Sequence, residues 1–319
     1  MITFYSQKVY QEISDLYGLG KVAKITHMYR GFGGSAKAKV VTSKESFVVS
    51  KNILSNKKDI TSKSLKSLQY EVDMLNTMKG LPVPHFIISK NKNYIEKVED
   101  AYVTVYPFID GIPPKKINIK KAHELGVFLG TFHAKGASFK KEILSRRKFY
   151  DLSPSVMKAM KPLAYKQINS KLAAVVTQIE KGVKENMPSK FFQKGPIHVD
   201  IGHNNELFKG DKLVGVIDFG NFYRGPFMVD IGKTIMWNCC VKGKLDLKLM
   251  KSFLDGYQSK RRLSKAEEAY IERSILYAIY SHIWVDLYHV PIGYVPARWP
   301  LYLIKEFLPI AKSLEAQQA

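Results

Sequence analysis

What the chain lacks narrows the field first. Its 319 residues include two cysteines, and these are sequence neighbours, Cys239 and Cys240, inside an apolar segment. Adjacent thiols cannot staple distant segments or supply the paired spacing of a zinc site, which argues against a disulfide scaffold and a structural zinc fold and predicts buried free thiols. No apolar run reaches the roughly 18 residues of a membrane-spanning helix. The opening stretch "MITFYSQKVYQEISDLYG" lacks the basic-then-apolar layout of a secretory leader, so a soluble, cytoplasmic protein is expected. Arginine is scarce, at eight of 50 basic residues. Internal repeats and low-complexity tracts are absent as well.

Positive charge, by contrast, is abundant: 50 basic against 28 acidic residues give a formal net charge of +22. Such an excess raises nucleic acid or an anionic membrane surface as partners. Base-edge readout and bidentate phosphate grips lean on arginine, however, and lysine dominates here. The clusters "PPKKINIKK" and "FKKEILSRRK" come with no zinc-finger or RNA-binding motif. A solvated lysine-rich surface is the favoured reading, and nucleic acid is not an expected partner.

The length and an apolar content of 45% predict a globular protein with more than one compact unit. Residues 21–53 read as strands, including a hairpin turning at the polar run Ser43 to Ser46. A helix follows, with candidate caps Thr61 and Ser62, apolar residues at Leu65, Leu68, Val72, Leu75 and Met78, and Gly80 closing it. "LPVPHFII" and "AYVTVYPFI" read as further strands and "DGIPP" as a break, after which the pattern is mostly helical except for 195–219. The expected organisation is a strand-rich N-terminal lobe over 1–106, a hinge over 107–114 and a helical C-terminal lobe over 115–319.

Chemistry concentrates in "GPIHVDIGHNNELFKGDKLVGVIDFG", residues 195–220. "ELF" and "LVGVI" are short apolar runs joined by "KGDK", whose Gly-Asp pair signals a tight turn. Such a hairpin returns Asp218 to the level of Asn205, with Asp200 just upstream. Two carboxylates and an amide oxygen are hard ligands of the kind Mg²⁺ takes when phosphate oxygens complete its shell. In the N-terminal part, "GFGGSAK" (31–37) between two strands lets backbone amides approach phosphates. Lys51 ends the strand "FVVSK" and Glu71 lies on the helix "LQYEVDML", an arrangement that can point an ammonium at nucleotide phosphates. A surface lysine and a solvated glutamate are the alternative for that pair.

"HVDIGHNN" followed by "VIDFG" resembles the H-x-D-x-x-x-x-N and I-D-[FW]-G pair of the aminoglycoside phosphotransferase and choline kinase-like superfamily. "GGSAKAKVVTSKESFVVSK" is similar to its phosphate loop and lysine strand, "YEVDML" to its glutamate helix, "YPFIDG" to its hinge and "LGTFHA" to the helix that leads into the catalytic lobe. The spacing of these motifs and the later "DIGKTIMWN" are nearest in pattern to bacterial homoserine kinases of that superfamily. The resemblance implies an α+β, protein-kinase-like bilobal fold, with a small antiparallel-sheet lobe and a larger, mainly helical one. It also implies an ATP- and Mg²⁺-dependent transfer of the γ-phosphate to a hydroxyl of a small molecule.

Roles follow from the resemblance residue by residue. Asp200 would accept or orient the proton of the acceptor hydroxyl, while Asn205 and Asp218 would hold Mg²⁺. Lys51, fixed by Glu71, would bind phosphate under the backbone of Gly33, Gly34 and Ser35. The segment Tyr106 to Ile109, with Phe108, would meet the adenine. His198 would support the catalytic loop, and Asp230 would brace it from the following helix. The loop reads Ile-Gly-His-Asn where relatives often carry proline; a satisfied loop histidine is the favoured reading of His203, and a residue that reshapes the loop or reaches the substrate is the alternative.

The acceptor is less determined. "YIERSILYAIYSHIWVDLYHV" places Leu276, Ile279, Ile283 and Leu287 on one helical stripe and Tyr277, Tyr280, Trp284 and Tyr288 on an adjacent one. Core packing is the first reading of both stripes. Asp286, a carboxylate on a largely apolar helix, either meets an acceptor's amino group, in a pocket lined with Trp284, or points to solvent. A strongly positive chain repels polycationic antibiotics and is neutral toward a zwitterion such as homoserine. The leading expectation is thus a homoserine-like amino acid, an amino alcohol or a sugar. The alternatives are an aminoglycoside or other antibiotic and, in a different class, a kinase-shaped binding protein that uses its basic surface without catalysis. Monomer and dimer both stay open.

Overall fold

The computed structural model describes residues 4–28, 35–54, 64–141, 161–162, 170–202, 204–289 and 295–318, with 154 and 158. The chain divides into two compact units. One comprises Met1–Gly111 with Val214–Gly220, the other Ile112–Leu213 with Asn221–Ala319.

The first unit is built on a five-stranded antiparallel sheet. Its strands are β1 (Val22–His27), β2 (Ser35–Thr42), β3 (Ser46–Asn52), β4 (Ile95–Val98) and β5 (Ala101–Pro107), in the spatial order β1-β2-β3-β5-β4. β2 alternates half-buried with buried residues along its length, the period-two signature of a pleated strand whose two faces meet different surroundings. The face carrying Ala38, Val40, Phe47, Val49, Val103 and Val105 packs against Tyr5, Val9, Tyr10 and Ile13 of the N-terminal segment, most of them on α1 (Gln7–Leu16). Ser6 caps that helix by accepting the Val9 N–H, which satisfies one of its orphan donors.

Three expectations change here. α2 (Leu65–Thr77) is capped by Ser64, whose hydroxyl accepts the Ser67 N–H; Thr61 and Ser62 lie outside the described residues. Residues 81–88 form no strand, because Pro82 and Pro84 have no N–H to give a ladder; Ile87 donates a single bond to Val105 O at 2.8 Å. Four residues unread in the sequence, Ile95–Val98, supply the edge strand instead.

The second unit is mainly helical. Its described helices are α3 (Ile119–Gly136), α4 (Ser170–Glu185), α5 (Phe227–Cys239), α6 (Leu247–Gln258), the short α7 (Lys265–Glu268), α8 (Ile271–His289) and α9 (Arg298–Gln318). Small two-stranded ladders join β6 (Lys194–Ile197) to β9 (Tyr223–Pro226) and β10 (Cys240–Val241) to β11 (Lys244–Leu245). The expected hairpin is present as β7 (Glu206–Lys209) and β8 (Lys212–Val216), with Gly210 at φ +60° in its turn; β8 from Val214 onward counts with the first unit.

Glycine lets two helices touch backbone to backbone. A Cβ added at Gly126 on α3 would meet Phe253 O at 2.0 Å, and one at Gly256 on α6 would meet His123 O at 2.3 Å. Among the described residues no helix is long and apolar enough to cross a membrane.

Candidate active site

In the second unit, the loop leaving β6 carries the sequence's acidic and amide candidates. Asp230, fully buried on the first turn of α5, accepts the His198 N–H at 2.8 Å and the Val199 N–H at 2.7 Å. Val199 sits at φ +64°, a left-handed conformation that strains a β-branched residue. Two bonds to a charged acceptor hold that strain in place. The next residue, Asp200, is half-buried; its N–H donates to His198 Nδ1 at 3.2 Å, and its carbonyl accepts Asn205 Nδ2 at 2.9 Å.

Asp230 is held in turn by a chain of buried groups. His133 Nε2 lies 3.2 Å from Asp230 Oδ2, and His133 Nδ1 lies 2.8 Å from the Tyr257 hydroxyl. Arg261 donates to that hydroxyl at 3.1 Å. Since an ionised carboxylate only accepts, His133 donates through Nε2 and accepts the Tyr257 proton at Nδ1. Burial holds the imidazole below its ordinary value, which keeps it neutral, despite the pull of Asp230. Burial alone would raise Asp230, but its hydrogen bonds with the His133 imidazole and the His198 N–H outweigh it and keep the carboxyl low. None of His133, Tyr257 and Arg261 was singled out from the sequence; the only signal was His133 inside "LGTFHA".

A second polar cluster borders Asp200. Lys233, one turn beyond Asp230, is buried with Nζ 3.0 Å from His282 Nδ1. Burial brings its ammonium down to about 8 against the opposing pull of Asp200, Asp286 and Asp230. Asp286 Oδ2 lies 3.3 Å from His282 Nε2 and accepts Trp299 Nε1–H at 2.7 Å. Trp284, at 1% exposure, is a core residue. Glu206, next to Asn205, is buried, and its carboxyl is pushed up to about 7 by burial first and the charge of Asp200 after it.

In the first unit, Asp218 (φ +63°) is half exposed, and its Oδ1 lies 3.8 Å from Lys37 Nζ on β2. The charge of Asp218 raises the Lys37 ammonium above its ordinary value against the effect of burial, with Tyr106 and Glu71 adding to the rise. Lys39 Nζ sits 3.7 Å over the Phe108 ring, and the Phe108 N–H donates to Ser46 O at 2.8 Å. Ile109 is half-buried beside it, and Ser35 opens β2 opposite Asn52.

Lys51 departs from expectation. Its ammonium lies 3.4 Å from Asp100 Oδ1 and 4.3 Å from the Tyr5 ring centroid. Gly33, Gly34 and His203 lie outside the described residues.

Each unit carries one hard oxygen donor of the kind Mg²⁺ takes alongside phosphate. In the second, Asn205 uses its Nδ2 on the loop backbone and keeps Oδ1 for another partner; in the first, Asp218 is a half-exposed carboxylate.

Residues 39–263 match the family model described as "Phosphotransferase enzyme family". A homoserine kinase of Bradyrhizobium diazoefficiens is 25% identical over 198 residues, covering 60% of this chain and 58% of the relative. One from Neisseria meningitidis is 29% identical over 195 residues, covering 61% and 62%. The chain thus spans about three fifths of the length of these relatives. Among solved structures, an amicoumacin kinase in complex with AMP-PNP and Ca²⁺ aligns with a TM-score of 0.68 at 17% identity over 98% of this chain and 94% of its own. A spectinomycin phosphotransferase in complex with ADP aligns with 0.65 at 12% identity over 98% of both. The fold is therefore the α+β, bilobal, protein-kinase-like one.

Proposed function

The chain belongs to the phosphotransferase enzyme family, and from that membership we propose that it moves the γ-phosphate of ATP, with Mg²⁺, onto the hydroxyl of a small homoserine-like acceptor. The observation that carries this reading is the brace from Asp230, which fixes the strained backbone at His198 and Val199 and so sets the position of Asp200. A buried network of this kind is a large investment for a loop without chemistry.

In this reading Asp200 accepts the proton of the acceptor hydroxyl, and its half-buried carboxylate lies at the end of the braced loop. Asn205 Oδ1 and the Asp218 carboxylate hold the metal. Ser35, with Gly33 and Gly34, offers backbone N–H groups to phosphate, and the backbone of Tyr106 to Ile109 meets the adenine. His198 and Asp230 act by positioning. When bound, Mg²⁺ and the nucleotide supply the phosphoryl group and spread its developing charge. Homoserine leads as the acceptor because the sequence relatives cited above carry that name. Asp286 and Trp284, through the Lys233 cluster that reaches Asp200, are the acceptor-side candidates, with His203.

The test is phosphate transfer from ATP and Mg²⁺ to a panel of hydroxyl compounds: homoserine, amino alcohols, sugars and aminoglycosides. Transfer to homoserine above the rest supports the reading. Transfer to an aminoglycoside alone replaces the acceptor, and nucleotide binding with no transfer to any compound favours a non-catalytic binding protein.

A further inference from the structure

Strand parity decides which lysine can face a nucleotide. In an antiparallel ladder, directly opposed residues point to the same face of the sheet, and neighbours along a strand point to opposite faces. Lys37 on β2 is opposed to Ser50 on β3, which is opposed to Thr104 on β5. Lys39, Val48 and Tyr106 form the next row of that face. Lys51 belongs to the other set, opposed to Ala36 and Val103.

The two faces have different surroundings. The Lys51 face carries Val49 and Val103 and is covered by the core around α1, with Tyr5, Val9 and Tyr10. Lys51 itself is 5% exposed, and its ammonium is taken up by the Tyr5 ring and Asp100. Turning it to the opposite face would require a one-residue register slip, which would invert every side chain of the strand. The Lys37 face carries Tyr106, whose neighbours in charge are Lys37, Asp218 and Glu71. Lys37 keeps 27% of its side chain exposed, with Asp218 at 3.8 Å.

We propose that Lys37 of β2, and not Lys51 of β3, is the lysine that binds the nucleotide phosphates, with Asp218 as its carboxylate partner. The proposal rests on the phosphotransferase reading above. An ammonium on the open face of the sheet, beside the carboxylate that this reading gives to the metal, has the surroundings that a phosphate-binding lysine needs. Lys51 becomes a packing residue, its stem inside the sheet core and its charge met by Asp100 and an aromatic face.

The test is titration of ATP and ADP, with and without Mg²⁺ and without acceptor, into the full chain and its Lys37→Met, Lys37→Arg and Lys51→Met variants. Lys37→Met should raise the nucleotide Kd by about 10- to 100-fold, the loss of one charge-assisted contact, and Lys37→Arg should recover part of it. Lys51→Met should lower Tm and keep Kd within about threefold of the parent, a change smaller than one hydrogen bond. Wild-type affinity in Lys37→Met, or loss of affinity confined to Lys51→Met, overturns the proposal. A parent chain that binds no nucleotide sinks the phosphotransferase reading and the proposal with it. Amine acetylation of the parent chain, read by mass spectrometry, needs no variant to fold. Mg²⁺–ATP should protect Lys37 and leave the low labelling of Lys51 unchanged, and unaltered Lys37 labelling at saturating nucleotide refutes the assignment.

Discussion

Asp230 accepts the N–H of Val199 at 2.7 Å and so holds a β-branched residue in a left-handed conformation directly before Asp200. The same carboxylate takes the N–H of His198 and the imidazole of His133. Asp230→Asn keeps the shape but puts an NH₂ among groups that donate. It should cost about 3–5 kcal/mol in urea denaturation, the range for breaking a buried charged network, with turnover falling well beyond what the folded fraction explains. A variant with parent-like stability and rate would show that the loop holds itself.

Under the proposed roles, chemistry and nucleotide binding should separate between Asp200 and Asp218. Asp200→Asn removes the proposed proton acceptor and should lower kcat by about 100- to 10,000-fold while nucleotide Kd stays near the parent's. Asp218→Ala should in addition weaken Mg²⁺-dependent nucleotide binding. Equal, small effects from both would refute the division of roles.

Lys233 makes stability depend on pH in a predictable direction. Its ammonium loses its proton near 8 in the folded chain and near 10.4 when unfolded. Between those values the unfolded state binds more protons, so stability from this group rises with pH, by up to about 1.4 kcal/mol per unit. Urea denaturation from pH 7 to 10 should show the parent gaining on Lys233→Met over that window. Parallel curves would mean that the charge is not buried at a cost.

The crossing of α3 and α6 leaves no room for a methyl group. At Gly256 the obstacle is the backbone carbonyl of His123, which cannot rotate aside, so Gly256→Ala should destabilise by about 1–3 kcal/mol or more. The check is a Tm shift with nucleotide affinity unchanged, because the crossing lies within the helical unit.

On the proposed acceptor side, Asp286→Asn should raise the KM of the acceptor more than that of ATP, since Asp286 meets His282 and His282 meets Lys233, an ammonium that feels the charge of Asp200. Trp284→Phe, at a buried core site, should act through stability and acceptor KM together. Unchanged acceptor kinetics in both folded variants would move the pocket elsewhere.

Local features were legible in the sequence where their cause is local. The hairpin at Gly210 and Asp211 follows from turn chemistry, and α2 from its apolar spacing, although its cap is Ser64. The segment 81–88 misled because apolar β-branched residues outweighed two prolines in the reading. Lys51 and Lys37 could not be told apart by spacing, because the face a strand residue takes is set by its partners' register, which no single strand encodes. His133 and Tyr257 meet across 124 residues, and Lys233 and His282 across 49. Contacts at such separations follow from helix packing, and a charged residue on an apolar helix announces only that it has some partner.

The segment Val214–Gly220 belongs to the first unit although about a hundred residues separate it from Gly111. It is tied in by the Val216 N–H to Pro82 O, at 2.8 Å, and it brings Asp218 to Lys37. During synthesis at about 5–20 residues per second, roughly 5 to 20 s pass between the emergence of the sheet and that of its last piece. For that interval Lys37 is an ammonium without its aspartate. The nascent chain therefore meets chaperones and proteases with an N-terminal unit still missing one strap.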